Sequence, residues 1–362
     1  MRAEVGYFVP CLRGRKAFIP MAPEALKGLE VLIEEVEKCA AALARLDTLI
    51  LRLPDPYLLT ENLIFMEAVT SSRIEGAKAR FEDLFSTTSS FSKSEDVLEV
   101  KNCAEAFRQG EKILERSTSV MGMAKALHEI LMKDHLTVVG GELKKSQNYT
   151  IKQSGSIFAY TPPNYLDQTL AMFENFTMKE GEGVPELIRQ AISHWIFEQI
   201  HPFPDGNGRV GRLLIPLILK YKGYTEIPFA LISEAVEQHK QEYINQFEQL
   251  LETGDWIPWC RFFLSVLYLN AEKSIARITN LESLRIDYQK RVAGKAKNSL
   301  LHVIVKDLFA KPRFTRKELS FAYGLSPRGA SLIAQELMDR NLIRPVRETV
   351  SKRNILFEAH VY

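Results

Sequence analysis

The apolar residues of this chain recur mainly at helical spacing. Between residues 23 and 46, for example, Leu29, Leu32 and Val36 lie three or four positions apart, as residues do on one face of an α-helix. Thr60 has the side chain of a helix N-cap at the start of the next such segment. The same spacing predicts helices at about 60–73, 96–115, 121–133, 165–178, 186–200, 209–222, 233–252 and 256–285. The chain is therefore predicted to be mainly α.

β structure is predicted only in short segments. Residues 1–20 contain Pro10, Gly14 and Pro20, and they are predicted to be irregular. Residues 146–160 are predicted to be extended, and they form the only β element expected in the central part of the chain.

The last part of the chain has a different pattern. Helices are predicted at 299–309, 316–323 and 327–340, and Thr315 with Glu318 forms a capping box at the start of the second. Alternating residues after these helices predict a small β-hairpin, so the whole is typical of a winged helix. We therefore predict three regions: an N-terminal helical region at 1–95, a central domain at 96–285 and a winged-helix-like domain at 295–362.

Composition indicates a globular protein that does not enter a membrane. Of the 362 residues, 46% are hydrophobic and 25% are charged, which is ordinary for a soluble domain. The sequence has no run of 18 uncharged apolar residues, and its first residues lack the apolar core of a signal peptide. Four widely spaced cysteines without a C-x-x-C pair favour reduced thiols. We expect a cytoplasmic protein.

Charge is distributed unevenly along the chain. The formal net charge is +2, but residues 295–362 carry 13 lysines and arginines against 6 aspartates and glutamates. Such a basic module is suited either to DNA phosphates or to a protein partner. Its basic residues include Arg313, Arg316, Lys317, Arg328, Arg340, Arg344, Arg347, Lys352 and Arg353.

A twelve-residue segment between two predicted helices carries most of the candidate chemistry. It runs from His201 to Arg212 and contains an imidazole, the carboxylate of Asp205, a glycine-flanked turn and two arginines. Backbone N–H groups at a helix N-terminus, exposed by glycines and supported by arginines, bind anions. A histidine supplies a base and an aspartate supplies a ligand for a hard metal ion. The segment therefore indicates chemistry on a magnesium-bound polyphosphate.

This segment resembles the signature of the Fic family, H-x-F-x-[DE]-G-N-[GK]-R-x-x-R, at every specified position. The resemblance covers about residues 60–270. It implies a Fic-type helical core with a β-hairpin flap, and an adenylyltransferase that moves AMP from ATP to a hydroxyl of a target protein. By this resemblance His201 is the catalytic base and Asp205 holds Mg²⁺. The implied nucleotide and phosphate ligands are Gly206, Asn207, Gly208, Arg209 and Arg212.

The family also has an inhibitory pattern, [ST]-x-x-x-E-[GN]. Here it is matched by Ser71, Glu75 and Gly76, at the end of a helix predicted at about 60–75. The resemblance implies that the Glu75 carboxylate pairs with Arg212 and prevents the γ-phosphate from binding productively. A guanidinium and a carboxylate fit one another well in such a pair.

Other positions match the family less closely. Residues 152–163 resemble the flap, which is expected to align the backbone of the target. Lys144 replaces an arginine of the family pattern. Tyr243 matches the first residue of a tyrosine pair near the nucleoside, whereas Ile244 departs at the second. His194 is expected to be a buried structural residue.

The residues leave several alternatives open. The chain is either an enzyme or a DNA-binding regulator whose Fic core senses nucleotide. An enzyme of this fold could also remove AMP from a modified target, or use a nucleotide other than ATP. The target protein is not identified by the sequence and could be the chain itself, and self-association into a homodimer stays open.

Overall fold

A computed structural model describes residues 5–11, 14–24, 26, 28–53, 55–85, 95–152, 154–179, 183–293, 299–346 and 355–360. Within them lie thirteen α-helices: α1 (Ile33–Leu51), α2 (Pro56–Ile74), α3 (Glu95–Arg116), α4 (Val120–Leu131), α5 (Leu166–Met178), α6 (Glu186–Ile200), α7 (Asn207–Tyr221), α8 (Ser233–Gln238), α9 (Lys240–Thr253), α10 (Trp256–Val292), α11 (Ser299–Asp307), α12 (Arg316–Ala322) and α13 (Pro327–Asp339). The prediction of a mainly α fold is confirmed. No helix in these ranges is long and apolar enough to cross a membrane.

Two packed helices, α6 and α7, lie at the centre of the core. Almost every residue of both is buried, including Trp195, Phe197 and Ile215. A helix that is buried on all sides must be covered by neighbours, and α1, α2, α3, α4, α5 and α10 pack around this pair. The segment between α6 and α7 contains the motif loop, residues 201–206, which is therefore held by the most deeply buried part of the fold.

The prediction of an irregular N-terminus was wrong. Strands β1 (Gly6–Pro10) and β2 (Lys16–Pro20) form an antiparallel hairpin, and Ala17 of β2 pairs in parallel with Ala159 of β4 (Ile157–Ala159). Strand β3 (Tyr149–Ile151) completes a sheet of order β1-β2-β4-β3. Local sequence does not reveal this sheet because its central pairing joins distant segments, and the prolines stand at strand ends, where they are tolerated.

Helix boundaries differ from the predicted ones in four places. The helix predicted at 23–46 begins only with a 3-10 turn at Leu29–Leu32, which leads into α1, and α1 continues to Leu51. Helix α2 begins at Pro56, a residue suited to a first turn, and Thr60 is not an N-cap because its hydroxyl donates within the helix to the Pro56 carbonyl at 2.8 Å. The helix predicted at 233–252 is divided at His239 into α8 and α9. Helix α10 continues to Val292.

The basic C-terminal region contains α11, α12, α13 and a sheet of order β5-β7-β6, formed by β5 (Arg313–Thr315), β6 (Ile343–Pro345) and β7 (Leu356–Ala359). The capping box of Thr315 and Glu318 is present. Arg313 and Arg344 both pair with Glu358, so part of the positive charge is neutralised within the module. Arg347, Lys352 and Arg353 lie outside the described residues, and a role in binding DNA stays a prediction.

Candidate active site

The motif loop opens onto a cavity of about 440 Å³. Its walls come from the C-terminal end of α2, the ends of α6 and α7 that flank the loop, helix α9 and the β3–β4 hairpin. His201, Gly208, Arg212, Glu75 and Tyr243 all line it. A volume of this size suits a small-molecule ligand. Residues that are far apart in the sequence lie close together around the cavity.

The loop is shaped by buried contacts below it. His201 ends α6 in the left-handed conformation, at φ 50° and ψ 61°, which is uncommon for a residue with a Cβ. Phe203 is fully buried and stacks on His128, with ring centroids 4.0 Å apart. The N–H of Gly141 donates to Nδ1 of His128 at 2.9 Å, so Nε2 carries the proton that reaches the Asp205 carbonyl at 3.2 Å. His128 is thus structural, and burial lowers its pKa to about 4.

Asn207 closes the loop rather than facing the cavity. Its side-chain oxygen accepts from the Phe203 N–H at 2.8 Å, and its side-chain nitrogen donates to the Phe203 carbonyl at 2.9 Å. The side chain of Asn207, which was predicted to bind phosphate, therefore stabilises the loop by hydrogen bonds to its backbone. Its backbone begins α7, with Gly206 before it in the left-handed conformation at φ 73°.

His201 is arranged to accept a proton. Its Nδ1 lies 3.2 Å from the carbonyl of Glu198, and because a carbonyl only accepts, Nδ1 carries the hydrogen and Nε2 keeps a lone pair. The ring of Tyr160 stacks on the imidazole at a centroid distance of 3.9 Å. Burial, followed by the charge of Lys144, lowers the pKa of His201 to about 4. The ring is therefore neutral near pH 7.

Arg212 is bound to the C-terminal end of α2. Its Nη2 donates to Glu75 Oε1 at 2.7 Å and to the Ser71 carbonyl at 2.9 Å, and its Nε donates to the Ser71 hydroxyl at 2.9 Å. Burial alone would raise the pKa of Glu75, but the Arg212 charge and hydrogen bond outweigh it and the pKa is lowered. Gly76 follows in a positive-φ conformation, at φ 108°, that favours glycine after a helix.

The Glu75 carboxylate also lies over the N-terminal end of α7. A Cβ added at Gly208 would overlap Glu75 Oε1 and would lie 3.0 Å from Arg212 Nη1. Glycine at 208 therefore leaves the space that the carboxylate occupies. An anionic group thus already sits where helix geometry favours an anion.

Asp205 and Arg209 are not among the residues that line the cavity. The Asp205 side chain is 55% exposed and its Oδ1 accepts from the Gly206 N–H at 2.6 Å. Arg209 is buried, pairs with Glu99 at 2.8 Å and lies 3.8 Å from Asp205. Among the described residues no group of three or more His, Cys, Asp or Glu side chains forms a metal site. A single exposed carboxylate nevertheless fits Mg²⁺, which takes one or two carboxylates together with substrate phosphates.

Tyr243 is buried in the wall formed by α9. Its hydroxyl lies 2.8 Å from Nε2 of His194, and its ring is 4.9 Å from that of Phe247. His194 is buried, as expected, and also interacts with the backbone of Gly211; burial lowers its pKa to about 3. The Tyr243 hydroxyl is therefore hydrogen-bonded within the protein.

Four residues near the loop were not recognised as site residues from the sequence. Tyr160 and Glu198 line the cavity beside His201, and Lys240 lines it where α9 begins. Lys144 donates from Nζ to the Ile200 carbonyl at 3.1 Å, and burial lowers its pKa to about 7. Tyr160 lies in the segment predicted as the flap and Lys144 at a position of the family pattern, and Glu198 is the charged residue of a mostly apolar helix.

The chain matches two family models that adjoin along its length. Residues 33–112 match the Fic/DOC family N-terminal model, and residues 121–219 match the Fic/DOC family model. A crystal structure of a Fic family protein from Desulfovibrio desulfuricans G20 shares the fold, with a TM-score of 0.59 and 20% identity over 94% of this chain and 98% of that one. The chain belongs to the Fic/DOC family.

Two curated relatives are similar over shorter stretches. The "Probable protein adenylyltransferase" of Aquifex aeolicus (strain VF5) is 27% identical over 188 residues, which are 51% of this chain and 54% of that protein. The "Protein adenylyltransferase Fic" of Culex quinquefasciatus is 33% identical over 128 residues, or 34% of this chain and 23% of that protein. The chain thus spans about half or less of the length of these relatives.

Proposed function

We propose that this protein is an adenylyltransferase that moves AMP from ATP to a serine, threonine or tyrosine hydroxyl of a protein and releases pyrophosphate. The observation that carries the proposal is the meeting of His201, Arg212 and the N-terminus of α7 around one cavity of about 440 Å³. The names of the Aquifex and Culex relatives support the same activity.

His201 would act as the general base. A target hydroxyl is a poor nucleophile, and a neutral imidazole with a lone pair on Nε2 can accept its proton while the oxygen attacks the α-phosphorus. The new bond joins that oxygen to phosphorus, and the bond from the α-phosphorus to the bridging oxygen breaks. Pyrophosphate leaves with the bonding electron pair.

The phosphates would be held by the N-terminus of α7 and by Arg212. Backbone N–H groups at a helix N-terminus bind phosphate, and Gly208 leaves room for close approach. Asp205 would hold Mg²⁺, which neutralises charge on the phosphates when bound. Arg209 would position Asp205, since it lies 3.8 Å from that carboxylate and is fixed by Glu99.

The same contacts support autoinhibition. The Glu75 carboxylate pairs with Arg212 and lies against Gly208, so it occupies an anion-binding position that a nucleotide phosphate would otherwise take. A polyphosphate and Glu75 cannot both use these donors. The chain is therefore proposed to be inactive until the end of α2 moves away.

Lys240 is proposed to strengthen this inhibition. Its Nζ donates to the Ile74 carbonyl at 2.6 Å, directly before Glu75. Lys240→Met should raise AMP transfer by up to about fivefold, because an exposed hydrogen bond of this kind contributes at most roughly 1 kcal/mol. Lys240→Arg, which can donate to the same carbonyl, is the control. Initial rates of label incorporation measure the effect, and an unchanged rate in Lys240→Met would refute the role.

The β3–β4 hairpin is the proposed docking site for the target. All three residues of β3 are exposed, and β3 is an edge strand of the sheet. An extended peptide can pair with such an edge, which orients a hydroxyl without reading much sequence. We also propose that segments of this protein itself serve as targets of AMP transfer.

Nucleotides labelled at different positions test the proposed reaction. The Glu75→Gly variant, incubated with Mg²⁺, should incorporate label from α-labelled ATP and none from γ-labelled ATP, because AMP is transferred and pyrophosphate is released. Side-by-side use of labelled GTP, UTP and CTP identifies the donor. Label from γ-labelled ATP would indicate phosphorylation instead, and release of AMP from a modified protein would indicate the reverse activity.

A further inference from the structure

One carboxyl oxygen in the wall of the cavity has no hydrogen-bond partner among the described residues. Glu198 lies in the last turn of α6, three residues before His201, and its side chain lines the cavity. Its Oε1 is buried and unpaired. A Cβ at Gly211 would overlap this oxygen, so the glycine leaves the space into which the carboxyl extends. A buried polar atom without a partner in the protein calls for an explanation.

Packing does not explain the carboxyl. The neighbouring residues Ile196, Phe197 and Ile200 are fully buried and apolar. An apolar side chain at 198 would extend that surface without the cost of removing an unpaired carboxyl from water. The position therefore carries a group that is unfavourable for the free protein and useful to a polar ligand.

The charges around Glu198 favour its acid form. Burial, opposed by Arg212 and assisted by Glu75, raises the pKa of Glu198 to about 8. Arg212 is close, but its Nε and Nη2 are occupied by Ser71 and Glu75. The titratable and charged groups that line the cavity with it are Glu75, Lys152, Tyr160, His201, Arg212, Lys240, Tyr243 and Glu248.

We propose that Glu198 contacts the bound nucleotide directly and donates a hydrogen bond from its carboxyl O–H to a phosphoryl oxygen beside Arg212. The inference rests on the proposed function, because the ligand is the nucleotide of that reaction. An ionised carboxylate would repel phosphates, whereas the acid donates to them. A phosphate that replaces Glu75 supplies the same negative charge next to Glu198, so the proton stays bound.

Calorimetric titration of ATP and Mg²⁺ into the Glu75→Gly chain tests this contact. Glu198→Gln keeps the shape and an N–H donor, and it should bind ATP within about threefold of the Glu75→Gly chain at pH 7. Glu198→Ala removes the donor and should bind about tenfold more weakly, which corresponds to the loss of a hydrogen bond to a charged group. Equal affinities for the glutamine and alanine variants would overturn the inference.

The pH dependence provides a second readout that a structural role would not change. In the parent chain the pKa of Glu198 is about 8, in part because of the Glu75 charge. With a bound phosphate supplying that charge, the carboxyl is protonated at pH 7 and loses its proton as the pH rises well above 8. Between pH 7 and pH 9.5 the affinity of the Glu75→Gly chain should therefore fall about tenfold more than the affinity of its Glu198→Gln variant. Parallel pH profiles would overturn the inference.

Unfolding measurements distinguish a role of Glu198 in ligand binding from a role in stabilising the fold. Because the Glu198 side chain makes no hydrogen bond within the described protein, Glu198→Gln and Glu198→Ala should unfold at denaturant concentrations no lower than the Glu75→Gly chain does. A clear loss of stability in both variants would instead assign Glu198 to the fold. Failure of the Glu75→Gly chain itself to bind ATP at any pH would refute the proposed function, and this contact with it.

Discussion

Replacing Glu75 with glycine is expected to raise the initial rate of AMP incorporation into protein by about tenfold or more. The reason is that Glu75 and the nucleotide compete for the same hydrogen-bond donor. Arg212 Nη2 donates to Glu75 Oε1 at 2.7 Å, and a charge-assisted hydrogen bond of this kind contributes roughly 1.5–3 kcal/mol. A nucleotide that needs the same donor must first displace the carboxylate. Without Glu75, this cost is absent.

The position of Glu75 makes the substitution a clean test. Helix α2 ends at Ile74, so glycine at 75 does not interrupt it. Glu75→Gln keeps the size and removes the charge, and it should give an intermediate rate. Glu35→Gly is a control, since Glu35 pairs with Arg261 at 2.9 Å and does not line the cavity. Intact mass after incubation with ATP and Mg²⁺ measures the modification, and equal uptake by Glu75→Gly and the parent chain would refute autoinhibition.

Local pattern was enough to predict the helical part of the fold. The apolar residues of α6 and α7 recur around these helices, and the glycines between them mark the loop, so both helices could be placed close to their observed ends. The hairpin β1–β2 was missed because Ala17 pairs with Ala159, which lies in another part of the sequence. Pairing at that distance leaves no periodic signal in either segment.

The candidate site was predicted in part for a similar reason. The pairing of Glu75 with Arg212, 137 positions apart, was expected only from the family resemblance, and no spacing rule would have linked them. Asn207 was expected to bind phosphate, yet its side chain holds the Phe203 backbone. Tyr160 reaches His201 only because the β3–β4 hairpin folds over the loop. Contacts of that kind depend on tertiary structure and not on local residue type.

Removal of the imidazole is expected to separate chemistry from binding. In the Glu75→Gly chain, His201→Ala should lower the rate of AMP transfer by about 10²–10⁴, the range associated with a general base. Affinity for ATP should change by no more than about threefold, because a neutral ring makes no ion pair with phosphate. The neutral state follows from burial, which lowers the pKa of His201 to about 4 although the Nδ1 contact with the Glu198 carbonyl opposes it. That contact places the hydrogen of the neutral ring on Nδ1.

The measurement pairs single-turnover transfer of α-label with calorimetric binding of ATP. His302→Ala is the matched control, since His302 is an exposed residue of α11 that does not line the cavity, and both quantities should stay unchanged. If His201→Ala lost ATP binding and transfer in equal proportion, the residue would shape the pocket and would not act as the base. If it transferred AMP at the rate of the Glu75→Gly chain, another group would have to accept the hydroxyl proton, and the assignment of His201 would be wrong.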